Sequence, residues 1–338
     1  MNEKREYWQS IRGICILAVI LIHSLGGFNY STGYGTEFVV LRQIINFAVA
    51  IFVFMAGYFV NVDALSDKEF SYKHWIIYRG GRLCIPFMIW SLLYSGLELL
   101  KIVHSGNEIH WFGFVYRFIV GKSATPFYYI VVLVQLTVIT PWLVKTVKQN
   151  GVISRILWLV TPLYLMYLYA WNYIVGISPR LYETLFPAWF GFYYLGIHVR
   201  CGWKLKGNGY AVVATLLLNC VEAICLRAAG LDIGFYISQI TVGSFLYSIA
   251  MIGWLLKKNE NNRSGCLLLS KIGDCSYGIF YIHMAVLMIV GRIIECENWY
   301  AYWALRFVLT SFISYIVVHL AQMTLKNHKK LLRYIGFV

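Results

Sequence analysis

The 338-residue chain is 59% hydrophobic and 17% aromatic, with only 13% charged residues and a mean hydropathy of +0.64. A soluble domain carries about a quarter charged residues to cover its surface, so this composition excludes a soluble or secreted globular fold. Its apolar content equally excludes disorder, and the formal net charge of +14 is better explained by the positive-inside rule than by nucleic acid.

Apolar blocks near the roughly 20 helical residues that cross a ~30 Å hydrocarbon core fall at 11–28, 39–60, 84–103, 125–144 and 155–173. More follow at 184–199, 209–226, 236–256, 273–294 and 301–323. The pattern predicts an all-α polytopic membrane helix bundle of about ten transmembrane helices, one integral-membrane domain over 1–338. Only Lys4 and Arg5 precede the first block and no small-residue cleavage site follows it, so 11–28 is expected to be a retained span. Trp111 to Val120 is apolar but short, which suits a re-entrant or interfacial piece. Loops are short, and no strict internal repeat supports an inverted-repeat transporter.

With the amino terminus in the cytoplasm, Lys68, Arg79, Arg82, Lys257, Lys258, Arg263 and the basic carboxyl-terminal run all fall inside. Of the 29 Lys and Arg, only Arg42, Lys101, Arg117, Lys122, Arg180, Arg227, Arg292 and Arg306 fall outside, with Arg12 set apart. That bias predicts that both termini are cytoplasmic. The eight cysteines form no CxxC or Cys/His cluster, so neither a metal nor a disulfide framework is indicated.

Polar residues inside the blocks carry the candidate chemistry. Arg12 and His23 are eleven residues apart, which at ~100° per residue leaves them within about 20° on one helix face, roughly 16 Å apart along the axis. Ionisable groups at membrane depth are expensive and face a polar interior. Neutral imidazole can take a proton from a hydroxyl, which makes His23 a candidate general base; the alternative is a histidine bonding a neighbouring helix's carbonyl. Arg79 and Arg82 share one side of a helical turn, and guanidinium forks suit phosphate oxygens; alone, the pair also reads as topological charge. Ser276 and His283 are almost two turns apart, ~10 Å, too far for a nucleophile dyad. His283 is expected to be a positioning or structural residue, or to line a substrate site, rather than to act as a base. Glu98 and Lys101 read as an i, i+3 ion pair or as part of an outer acceptor pocket. For Asn46, Gln135, Asn219, Glu222 and His319, interhelical hydrogen bonding is the default.

These pieces, in order, resemble the integral-membrane acyltransferase-3 family, which contains O-acetyltransferases of bacterial surface sugars. The matching segments are SIRGICILAVILIH (10–23), AVAIFVFMAGYFV (48–60), RGGRLCIPFMIW (79–90), TPFYYIVVLVQLTVITPWL (125–143), FGFYYLGIHV (190–199) and CSYGIFYIH (275–283). The resemblance implies a ten-helix bundle that takes acyl-CoA, commonly acetyl-CoA, from the cytoplasmic side. The acyl group passes to a hydroxyl of an extracytoplasmic carbohydrate or envelope polymer. Carried over, His23 is the catalytic base with Arg12 its first-helix partner, and Arg79 and Arg82 match the Arg-x-x-Arg motif implicated in coenzyme binding. Family members often have Asp three residues before that first arginine; Gln9 stands there, so Arg12 is expected to lack a carboxylate partner.

The resemblance places the protein in a bacterial cell membrane, with the lipid bilayer and a carbohydrate acceptor as partners, no metal and no nucleic acid. Homo-oligomerisation stays open. The competing reading is an uptake module for serine or another small molecule, of the kind linked to membrane-bound amino-acid racemases.

Overall fold

The computed structural model describes residues 3–26, 35–67, 69–260 and 265–337, with the backbone alone at 3, 4 and 260. Lys68, Arg263 and the last two residues of the first expected span lie outside the described residues. Among these there is helix and no strand.

The first span is α1 (Glu3–Ser24), and the second is split at Asn46 into α2 (Thr36–Ile45) and α3 (Phe47–Tyr58). The third opens with α4 (Tyr72–Trp75), passes through a π-helical turn at Ile76–Gly80 and continues as α5 (Gly81–His104). Then come α6 (Trp111–Ile119), α7 (Tyr128–Gln149), and α8 (Val152–Ile156) leading into α9 (Val160–Val175). Next are α10 (Pro187–Arg200), α11 (Gly209–Ala228), the one-turn α12 (Ile233–Tyr236) and α13 (Val242–Glu260). The chain closes with α14 (Leu267–Asp274), α15 (Ser276–Ile293), α16 (Trp299–Thr324) and α17 (Lys329–Tyr334).

All the expected spans are helical, and among the described residues eight segments are long and apolar enough to cross a membrane. The two others are α10, whose 14 residues reach only about 21 Å, and α13, diluted by Ser244, Ser248 and its basic end. The protein is an all-α, multi-pass membrane bundle. Such a chain exposes what a soluble one hides: Leu100, Met166 and Leu217 each show more than half their surface, as lipid-facing side chains do.

Two prolines sit inside long helices, and both leave traces in the hydrogen bonding. Proline has no N–H, so it frees the carbonyl four residues earlier, and a buried carbonyl needs another donor. Pro86 frees the Arg82 carbonyl, which accepts the Tyr277 hydroxyl at 3.3 Å. Pro141 frees the Thr137 carbonyl, which accepts the Trp75 indole N–H at 3.1 Å.

The chain clusters into two units, each assembled from separate segments. The first holds Met1–Trp8, Gly27–Tyr72 and Val138–Cys266. Within it α3 and α10 cross with backbones touching: a Cβ on Gly57 would meet the Tyr193 backbone, and one on Gly196 that of Phe54. Small residues at such crossings are the usual device for packing helices in lipid. The break at Asn46 is held by polar bonds. Asn46 donates to Gln43 Oε1 and the Ser238 carbonyl, and Ser244 donates to Asn219 Oδ1. Glu222 accepts from the Tyr169 hydroxyl and the Gly243 amide, closing the start of α13. Asn46, Asn219 and Glu222 thus make the interhelical bonds expected of them.

The second unit holds Gln9–Gly26, Lys73–Thr137 and Leu267–Val338. Here α1 meets α14, which begins six residues before the expected span at 273–294. A Cβ on Gly13 would strike the Leu269 carbonyl, and one on Gly273 the Gln9 carbonyl. At its far end α17 braces α5: Trp90 Nε1 donates to the Ile335 carbonyl at 2.9 Å, and Tyr281 and Phe337 both stack against Trp90. The short α6 shows its apolar face to the outside, with Phe112 87% exposed, as an interfacial helix does.

Candidate functional site

Every residue expected to carry function lies in this second unit, and α15 with the turn before it brings most of them together. At its deep level the His23 and His283 rings approach to 5.4 Å between centroids. His283 is fully buried, and its Nδ1 lies 3.0 Å from the Ile279 carbonyl. A carbonyl can only accept, so Nδ1 donates, and Nε2 is buried without a hydrogen-bond partner. His23 therefore faces the bundle interior, beside a second imidazole held by its own helix.

One turn and more toward the start of α15 stands a tyrosine relay. Tyr281 and Tyr277 bond through their hydroxyls at 3.0 Å, and Tyr94 donates to the Tyr281 carbonyl at 2.8 Å while accepting the Ala285 amide at 2.9 Å. Tyr277 reaches the Arg82 main chain. Helical rise puts the Tyr277 level about 9 Å below the His283 level along α15.

Below that, at the junction with α14, Asp274 Oδ1 accepts from the Gln9 amide at 2.7 Å, and Gln9 Oε1 accepts from Arg12 Nη1 at 3.2 Å. Arg12 therefore connects to the Asp274 carboxylate indirectly, through the Gln9 amide, a link that Gly13 and Gly273 allow by letting the two helices touch.

The two motif arginines lie across the π-turn. The Arg79 guanidinium stands 4.8 Å from the Trp75 ring centroid and that of Arg82 5.9 Å from Tyr78. Arg82 and Tyr78 are exposed, whereas Arg79 and Trp75 are half-buried. His23, the Arg82 main chain and, through Gln9, Arg12 thus meet α15 or the turn before it at successive levels, while Arg79 packs on Trp75. Glu98 does not join them: its carboxylate pairs with Arg117 of α6 at 2.5 Å, rather than with Lys101 on its own helix.

The sequence reading missed Arg306, taken for outer topological charge. It is 7% exposed, and its Nη1 donates to the Ser24 and Gly26 carbonyls at 3.2 and 2.9 Å, closing the end of α1 just beyond His23. The signal was present: a guanidinium inside an apolar block faces protein, not lipid. Tyr277 gave no such signal, since its role depends on a carbonyl freed by Pro86.

A bundle of long apolar helices with imidazole and tyrosine side chains buried among them defines a polytopic membrane protein. Its family is a matter of comparison: a model of the acyltransferase domain matches residues 5–323. The chain belongs to the acyltransferase-3 family and is an acyltransferase. It matches no curated protein and no solved structure.

Proposed function

We propose that the protein moves an acetyl or other short acyl group from cytoplasmic acyl-CoA to a hydroxyl of an extracytoplasmic carbohydrate or envelope polymer. It does so in a bacterial cell membrane with both termini in the cytoplasm. The observation that carries this is the short span along α15 between the Arg82 level and the His23–His283 pair, about 9 Å by helical rise. An extended pantetheine arm of roughly 15–20 Å by chain geometry covers it.

Arg79 and Arg82 hold the coenzyme's phosphates, since guanidinium forks match phosphate oxygens and both are poised near the surface. His23 takes the proton of the acceptor hydroxyl as the oxygen adds to the thioester carbonyl. The carbon–sulfur bond then breaks, His23 returns the proton to the departing thiolate, and an ester remains. His283, its Nδ1 held by the Ile279 carbonyl, packs its ring beside His23 and limits where the base can sit. Arg12, held through Gln9 and Asp274, keeps its charge at the mouth of the same framework.

The test is incubation of the purified full-length protein with labelled acetyl-CoA and cell-envelope extract, then mass spectrometry of what gains the label. His23→Ala is expected to abolish transfer while retaining acetyl-CoA binding. Full transfer by His23→Ala removes the base from the mechanism. Uptake of labelled serine into vesicles with no acyl transfer overturns the reading as a whole.

A further inference from the structure

The π-helical turn at Ile76–Gly80 sits in a stretch where aromatic rings and cations face one another four residues apart. The His74 and Tyr78 rings lie 8° from parallel with centroids 6.2 Å apart. Arg79 covers Trp75, and Arg82 stands over Tyr78. Trp75 is pinned by its bond to the Thr137 carbonyl. The Arg82 main chain is pinned by Tyr277. Tyr78 keeps 49% of its surface exposed. Single-turn π insertions in helices are frequent at functional sites.

Topological charge does not require this pattern, because lysines serve the positive-inside rule as well and need no ring beneath them. An interfacial aromatic belt does not require a guanidinium beside each ring. Flat π-faces alternating with guanidinium groups are, however, the surface on which nucleobases stack and phosphates are clamped.

We infer that Tyr78, between His74 and Arg82, is the seat of the adenine ring of the acyl donor, so that the enzyme recognises the nucleotide end of coenzyme A. This rests on the donor assignment made above and adds a specificity to it. A thioester on free coenzyme A is accepted, and one on a bare phosphopantetheine arm, which has no base to stack, is discriminated against. Arg79 and Arg82 take the phosphates beside the base. Preorganisation by the Thr137 and Tyr277 bonds lowers the ordering cost of recognition.

The experiment is calorimetric titration of the detergent-purified full-length chain with acetyl-CoA and, separately, with S-acetyl-4′-phosphopantetheine. The wild type is expected to bind acetyl-CoA more tightly. Tyr78→Leu is expected to weaken acetyl-CoA by roughly tenfold, the scale of one lost base–aromatic stack, and to leave the phosphopantetheine thioester unchanged, which also reports an intact fold. Tyr78→Trp is expected to restore acetyl-CoA binding. Equal losses for both ligands, no loss for either, or equal wild-type affinities overturn the adenine seat while the donor assignment stands. A wild type that binds neither ligand overturns both.

Discussion

Gln9 joins Asp274 to Arg12 with the two ends of one amide, its Nε2 donating to the carboxylate and its Oε1 accepting from the guanidinium. The amide orientation follows from its neighbours, since a carboxylate accepts only and a guanidinium donates only. Gln9→Leu removes both bonds at once. A hydrogen bond to a charged group is worth about 1.5–3 kcal/mol, so transfer is expected to fall roughly 10- to 100-fold. Acetyl-CoA affinity is expected to change little, because Arg79 and Arg82 are untouched. Gln9→Glu keeps an acceptor for Arg12 but sets two carboxylates together, and its transfer rate is expected to lie between wild type and Gln9→Leu. Wild-type transfer rates in Gln9→Leu would show the relay to be idle.

The relay exists only because two glycines let backbones meet. Gly273→Ala places a methyl group on the Gln9 carbonyl, and Gly13→Ala places one on the Leu269 carbonyl. Backbone cannot swing aside as a flexible side chain can, so each change is expected to cost about 1–3 kcal/mol of overpacking. The measurement is the thermal unfolding midpoint in detergent. Gly80→Ala is the control: its nearest neighbour is a side-chain methyl of Ile76 at 4.0 Å, and it should hold or raise the midpoint by improving helix propensity. Equal midpoints for Gly273→Ala and Gly80→Ala would mean that α1 and α14 do not pack this closely.

Pro86 and Tyr277 should be coupled through the one carbonyl they share. Tyr277→Phe leaves the Arg82 carbonyl without its donor, an expected loss of about 1 kcal/mol or more of stability with weaker acetyl-CoA binding. Pro86→Ala supplies a helical N–H to that carbonyl. In the Pro86→Ala background, Tyr277→Phe is therefore expected to cost distinctly less than it does alone, the signature of interacting sites in a double-mutant cycle. Strict additivity would show that the hydroxyl bond contributes nothing.

How far this was legible in the sequence depends on which force placed each residue. Apolar block length goes far toward fixing a membrane helix, so among the described residues each expected span is largely helix, the one at 236–256 starting late at Val242. The shared face of Arg12 and His23 followed from helical periodicity alone. What escaped were features set by partners distant in sequence. The third span was expected only at 84–103, yet the helix runs from Tyr72 to His104, since a π-turn and a tyrosine hydroxyl absorb the irregularities at Ile76–Gly80 and Pro86. Gln9 read as a missing carboxylate, because only the fold shows Asp274 beside it. Glu98 read as paired with Lys101 on its own helix or as lining an outer pocket; its carboxylate pairs with Arg117 of α6.

Arg306 closes the end of α1 one residue beyond His23. The last carbonyls of a helix have no intrahelical donor and carry the negative end of its dipole, so a cation there is doubly favoured. Here the Arg306 fork supplies donors to the Ser24 and Gly26 carbonyls. Arg306→Leu is expected to fray that turn and let His23 drift from His283, lowering kcat by about tenfold or more, as a 1 Å misplacement can. Acetyl-CoA affinity is expected to stay near wild type, because the motif arginines stand at the other end of α15. Arg306→Lys keeps the charge but loses the planar fork, and partial recovery of kcat is expected. The deciding measurement sets kcat beside calorimetric acetyl-CoA affinity for both variants. Were Arg306→Leu to lose affinity and keep kcat, the arginine would belong to donor binding and not to the placement of the base.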